Sequence, residues 1–179
     1  MPIRFKILFL FGLIIFFNFS SVISQSNPEK ASRMKVQGIY LYSFAKNVYW
    51  PSAYSTGDFT IGIYGSKDLF DQLNTNFKGK MTGSQNIIFD FYESTSDISD
   101  CHMLFIGKEE TSTIPKVKKV LDEKTLLVTE LADISNSSSS MINFVYLQGR
   151  LKFQLNKSEA EKNNFKIGQT LTKLAYSTI

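Results

Sequence analysis

The sequence predicts an α/β domain with three layers: a mostly parallel sheet, helices on both of its faces, and an antiparallel hairpin near the C-terminus. Short apolar runs without polar alternation, such as residues 102–106, are typical of strands buried on both faces. Amphipathic segments lie between these runs with short connections, which is the pattern of parallel strands joined by right-handed crossovers. Two further apolar runs flank Gln148-Gly149, a pair typical of a tight hairpin turn.

Residues 100–107 are predicted to contain the central strand, because Gly107 ends the apolar run too early for a buried helix. In chain order, the other predicted elements are a helix ending before Pro51, a strand at 59–65, a helix after Ser66, a strand at 86–92, a helix near 115–121, a strand at 125–129, hairpin arms at 141–147 and 151–155, and two last helices. The helix near 115–121 is expected to bury Ile114, Val117, Val120 and Leu121, and the last helix Ile167, Leu171, Leu174 and Ala175.

The opening helix begins at Asn27-Pro28-Glu29, where a capping residue precedes proline and an acidic residue. Its second half is apolar on nearly every side, so it either packs against several elements or offers one face to a partner. Tyr42, Tyr49 and Trp50 are the candidate partner-binding residues on this segment.

The N-terminus is predicted to be a signal peptide over residues 1–24. Arg4 and Lys6 precede an apolar run, and small polar residues follow it up to Ser24. A retained membrane anchor is the alternative, but the run is shorter than the roughly 20 residues that a span needs. We therefore expect residues 25–179 to form a single exported, soluble domain.

Charge and composition narrow the class of function. The net charge of +4 falls to near +2 without Arg4 and Lys6, and no basic stripe is interleaved with aromatic residues, so nucleic acid is not an expected partner. The glycine patterns of dinucleotide and phosphate-binding loops are incomplete, and a single histidine does not make the usual zinc site. No cofactor and no metal are expected.

The single cysteine, Cys101, cannot close a disulfide within the chain. Either it is buried and inert, or it pairs between two chains and makes a homodimer. His102 is adjacent, but neighbouring side chains on a strand point to opposite faces, so the two do not form a catalytic pair. We therefore do not expect an enzyme.

A parallel sheet leaves a crevice beyond the carboxyl ends of its strands. Here that rim is predicted to hold Ser66, Lys67, Lys108, Thr129 and Glu130, which would suit a small anionic ligand. A soluble ligand receptor is therefore the alternative to a partner-binding protein.

Four segments together resemble the YfiR-like family. They are residues 35–51, with the sequence K-V-Q-G-I-Y-L-Y-S-F-A-K-N-V-Y-W-P, residues 101–106, residues 141–145, and residues 149–156. The resemblance covers about 150 residues. Asn143 and Arg150 fall within these motifs, and each suits a structural role at the hairpin about as well as a functional one.

The resemblance implies a periplasmic, non-enzymatic regulator in cyclic di-GMP signalling. Its expected partner is an inner-membrane signalling protein, a diguanylate cyclase or a histidine kinase, bound through its periplasmic domain. Well-studied members carry disulfides, and this chain departs from them because Cys101 has no second cysteine.

Overall fold

The computed structural model describes residues 27–50, 52–131 and 140–179. It confirms a mixed α/β fold with a mostly parallel sheet and a C-terminal antiparallel pair of strands. The predicted signal peptide, residues 1–24, and residues 135–139 of a polar segment lie outside the described residues.

The helices are α1 (Pro28–Asn47), α2 (Lys67–Phe77), α3 (Ile114–Val120), α4 (Lys157–Lys162) and α5 (Gln169–Leu174). The strands are β1 (Val48–Tyr49), β2 (Phe59–Tyr64), β3 (Met81–Thr82), β4 (Gln85–Tyr92), β5 (Met103–Ile106), β6 (Leu126–Thr129), β7 (Ile142–Leu147), β8 (Arg150–Leu155), β9 (Lys166–Ile167) and β10 (Ser177–Thr178). Short 3-10 helices at Ser52–Tyr54 and Lys108–Thr113 complete the described elements.

Among the described residues, eight strands make the main sheet in the order β10-β8-β7-β6-β5-β2-β4-β3. Strands β4, β2, β5, β6 and β7 are parallel to their neighbours in that run, and β7 and β8 form the predicted antiparallel hairpin. Its turn residues Gln148 and Gly149 have φ of 51° and 73°, as a tight hairpin turn with two left-handed residues requires. Strand β5 lies between β2 and β6, which confirms the prediction of a central strand within residues 100–107.

The alternation of side chains along β5 shows why that run has no polar position. Met103 and Phe105 enter a core cluster shared with α1, α2 and α5, whereas Leu104 and Ile106 enter a second cluster that α3 covers. Since both faces of the strand are covered by helices, every side chain must be apolar. The three-layer architecture follows from this arrangement.

Helix α1 begins as predicted, with the Asn27 side chain accepting a hydrogen bond from the Glu29 N–H at 3.0 Å. It ends at Asn47, earlier than the sequence pattern indicates, because Val48 and Tyr49 pair antiparallel with Ile167 and Lys166. This long-range pairing of β1 with β9 competes with the last helical turn.

Two positions that were expected to be buried are exposed. Val120 is 63% exposed and Leu174 is 54% exposed. Each is the last residue of a short helix, where the chain turns away from the sheet. Ile167 was also assigned to the last helix, but it belongs to β9.

Candidate functional site

The main candidate site is a crevice at the carboxyl ends of the parallel strands. Strand β2 pairs with β4, the next long strand in the chain, on one side and with β5 on the other, so chain order reverses between β2 and β5. Open α/β sheets bind ligands at such a switch point, because the two following loops run in opposite directions and leave a gap. A cavity of about 370 Å³ lies there, and the first half of α1 forms one wall.

Four residues predicted from the sequence, Ser66, Lys67, Lys108 and Glu130, line this one cavity. Whether they bind a ligand is not tested by their position and stays a prediction. Gly65 and Gly107 bring the two loops together, since a Cβ at Gly107 would lie 2.7 Å from the Gly65 carbonyl oxygen.

Glu130 is the buried acid of the crevice, with 9% of its surface exposed. Its Oε2 accepts a hydrogen bond from Gln37 Nε2 at 2.8 Å, and Arg33 Nη1 lies 4.0 Å from its Oε1. Burial raises the pKa of this carboxyl, and the hydrogen bond from Gln37 and the charges of Arg33 and Lys108 oppose that rise. The sequence pattern gave no sign that α1 supplies these partners.

The basic side chains of the crevice differ in whether they pair with an acidic side chain. Lys30 pairs with Asp68, and Lys67 with Asp71, at exposed positions where ion pairs contribute little to stability. Lys108 makes no ion pair within the described residues. Its charge is therefore available to an anion that enters the cavity.

Cys101 and His102 point into different environments, as expected. Cys101 packs with Leu104 and Ile106 in the core cluster under α3, and burial raises the pKa of its thiol to about 12. His102 lies on the other side, where its Nδ1 accepts from the Thr60 N–H at 3.1 Å and its Nε2 is 3.2 Å from the Tyr54 carbonyl oxygen. No group of three or more His, Cys, Asp or Glu side chains suitable for a metal ion occurs in the described part of the chain.

Comparison with protein-family models gives one match, described as YfiR/HmsC-like, over residues 34–176. The chain belongs to the YfiR/HmsC-like family. No curated protein matches it. No helix among the residues described in 27–179 is long and apolar enough to cross a membrane.

In this YfiR/HmsC-like chain the three aromatic candidates for partner binding do not form one exposed patch. Tyr49 is 68% exposed. Trp50 is half-buried: its ring centroid lies 4.9 Å from that of Phe59 and 5.4 Å from that of Phe165, and its Nε1 donates to the Ala45 carbonyl at 3.1 Å.

Tyr42 is also partly packed, against Phe77 with ring centroids 5.9 Å apart, and its hydroxyl donates to the Met81 carbonyl at 3.3 Å. Of the three, Tyr49 is therefore the residue whose ring is open to a partner. The chain turns into β1 after Asn47, and the assignment of the three residues to partner binding stays a prediction.

The two family-motif residues have different surroundings. Asn143 is buried, and its Oδ1 accepts from Thr129 Oγ1 at 3.0 Å and from the Leu131 N–H at 2.8 Å. Its Nδ2 donates to Gln154 Oε1 at 3.4 Å, so it joins β6, β7 and β8. Arg150 is exposed beside the hairpin turn and lines a second cavity of about 360 Å³ between the hairpin and α1.

Two functional candidates were missed by the sequence reading, Arg33 and Tyr146. They are 113 residues apart, yet the Arg33 guanidinium carbon lies 4.1 Å from the centre of the Tyr146 ring. A basic residue on the polar side of an amphipathic helix gives no signal of such a contact, since it is normally solvated.

Proposed function

We propose that this protein is an exported regulator that binds the periplasmic domain of an inner-membrane signalling protein, a diguanylate cyclase or a histidine kinase. Membership of the YfiR/HmsC-like family is the observation that carries the proposal. The fold agrees with it, because the chain has a substantial core and an exposed aromatic side chain, Tyr49, but no nucleophile–base pair at Cys101 and His102.

The binding surface proposed is the one around Tyr49, at the junction of α1 and β1. Tyrosine is a frequent anchor of protein interfaces, because its rigid ring buries a large area at little cost in conformational entropy. Trp50 lies beneath this surface and supports it through Phe59 and Phe165. Its truncation would damage the fold as well as the surface.

The test begins with capture by residues 25–179 from detergent-solubilised membranes of the source organism, and continues with the purified cyclase or kinase that is identified. We expect Tyr49→Ala to weaken capture by about tenfold or more while its thermal unfolding matches that of the unmodified protein. Tyr176→Ala is the matched control, because Tyr176 is also exposed but lies beside β10.

Added protein should also lower the activity of the identified enzyme. If the folded protein retains no membrane signalling enzyme at high bait concentration, or if the identified enzyme is unaffected by it, the regulator proposal is wrong. Equal losses in the two tyrosine variants would move the binding surface away from Tyr49.

A soluble receptor for a small anion is the second candidate function. It is favoured by the convergence of Ser66, Lys67, Lys108 and Glu130 on one cavity at the switch point of the sheet. Inorganic phosphate and small phosphate esters are suitable probes, and they should raise the melting temperature of the unmodified protein. Lys108→Met should abolish that rise, whereas Lys119→Met, on the exposed side of α3, should preserve it.

A homodimer linked through Cys101 is not supported, since the sulfur is enclosed by the core cluster under α3. Non-covalent association of two chains stays a prediction that sedimentation of the mature protein would test.

A further inference from the structure

A second cavity, which shares Arg33 with the crevice, lies between the first half of α1 and the β7–β8 hairpin. Its volume is about 360 Å³, within the range of small-molecule sites. Arg33 and Val36 line it from the helix, and Tyr146, Arg150 and Leu151 line it from the hairpin. The cavity therefore joins apolar walls with two guanidinium groups.

Arg33 is the residue that makes this cavity unusual. A guanidinium carries five N–H donors, and within the described residues Arg33 donates none of them in a hydrogen bond. Its Nε is buried without a partner, and its Nη1 is 4.0 Å from Glu130 Oε1, beyond hydrogen-bonding distance. The buried Nε is out of reach of solvent, so the Nη groups are the donors that Arg33 can offer to a ligand.

The orientation of Arg33 is nevertheless fixed. Its guanidinium carbon lies 4.1 Å from the centre of the Tyr146 ring. This stacking fixes the plane of the guanidinium group and leaves the N–H donors at its edge free. The side chain is 37% exposed, so a ligand can reach it. It is pre-oriented for a planar, bidentate acceptor.

Tyr146 supplies the ring beneath Arg33, not a donor to the ligand. Its hydroxyl is buried without a hydrogen-bond partner, and burial raises its pKa to about 12, so the phenol stays protonated at physiological pH. Arg150 adds a positive charge at the exposed side of the cavity. Glu29 is the acidic side chain of the lining, and it leaves a surplus of one positive charge across these three ionic residues.

We propose that this cavity binds a small organic carboxylate, with Arg33 receiving the carboxylate and Val36 and Leu151 contacting an apolar body. A carboxylate matches the fork of one planar guanidinium, whereas a phosphate dianion would find its cations in the lysine-lined crevice. The proposal does not depend on the identity of the membrane partner, and it places the ligand beside the crevice predicted from strand ends, with Arg33 between the two.

The test is a titration of isotope-labelled residues 25–179 followed by nuclear magnetic resonance of the arginine Nε–Hε groups. Arg33→Lys identifies the Arg33 signal by its loss. The probes are benzoate, phenylacetate and octanoate, each compared with its uncharged alcohol. We expect at least one carboxylate to shift the Arg33 signal and those of Val36 and Leu151 in a saturable manner, below about 10 mM.

Arg33→Met should weaken the response of Val36 and Leu151 by about tenfold or more, and Lys67→Met, which removes a crevice cation, should leave it unchanged. Thermal unfolding of each variant checks that it is folded. The proposal is overturned if none of the carboxylates moves the Arg33 signal, if the alcohols act equally, or if inorganic phosphate competes as strongly as the carboxylates.

Discussion

Replacement of Asn143 by alanine tests whether this family-motif residue is structural. The side chain makes three hydrogen bonds, to Thr129, Leu131 and Gln154, from a position that is almost fully buried. Each such bond contributes about 1 kcal/mol, and the Leu131 N–H would be left without its partner, so we expect a loss of about 2–4 kcal/mol in the free energy of unfolding. For a chain of this size, that lowers the melting temperature by about 5–15 °C.

Urea unfolding followed by tryptophan fluorescence is a suitable assay, because the sequence contains one tryptophan and Trp50 packs between Phe59 and Phe165. Asn76→Ala is the matched control. Asn76 is exposed on α2, and its amide donates only to the Gln72 carbonyl one turn earlier, so its loss should change stability by less than about 0.5 kcal/mol.

The structural reasoning would be refuted if Asn143→Ala and Asn76→Ala unfolded at the same urea concentration. If Asn143→Ala then also failed to capture a membrane partner, Asn143 would have to be assigned to function.

Three further predictions follow from buried groups. Burial lowers the pKa of His102 below its ordinary value of 6.5, so the unfolded chain binds the proton more readily than the folded protein. The contribution of His102 to stability is therefore full above about pH 6.5 and falls as the pH is lowered. The variant His102→Gln should flatten that dependence in urea unfolding measured between about pH 7.5 and pH 5.5. Gly107→Ala should destabilise the fold by about 1–3 kcal/mol in the same assay, since the added Cβ would meet the Gly65 carbonyl oxygen. Gly79→Ala serves for comparison, because position 79 has open space for a Cβ but a left-handed φ, so that variant measures backbone strain without a clash. The Cys101 thiol, with its pKa raised to about 12, should react with a thiol reagent only at the rate of unfolding, and rapid reaction of the native protein would show that α3 does not seal it.

Much of the fold was predictable because local sequence patterns determine its core strands and turns. Residues 103–106 carry no polar position and become a strand buried on both faces, and the Gln148-Gly149 pair becomes a turn with two left-handed residues. The end of α1 was not predictable in the same way. Its last turn is replaced by pairing with Lys166–Ile167, more than 100 residues away, and no local pattern reports such a partner.

The residues of the crevice also divide into those that the sequence predicted and those that it did not. Its strand-end residues follow from topology, since parallel strands end at one edge, and Ser66, Lys67, Lys108 and Glu130 meet there. The contribution of α1 does not follow from topology. Gln37 reads as a polar interruption in an apolar stripe, and only the packed structure shows it bonded to a buried carboxyl.

Helix α1 borders the crevice and the second cavity, and it leads into the surface around Tyr49, the three regions for which a function is proposed. It is one unbroken helix of 20 residues, about 30 Å long, with Arg33 and Gln37 in its first half and Tyr49 two residues after its end. A continuous helix of this length moves as one body when either end is displaced. If a ligand at Arg33 displaced this helix and so altered binding at Tyr49, thermodynamic reciprocity would require a partner bound at Tyr49 to alter the affinity for that ligand by the same factor.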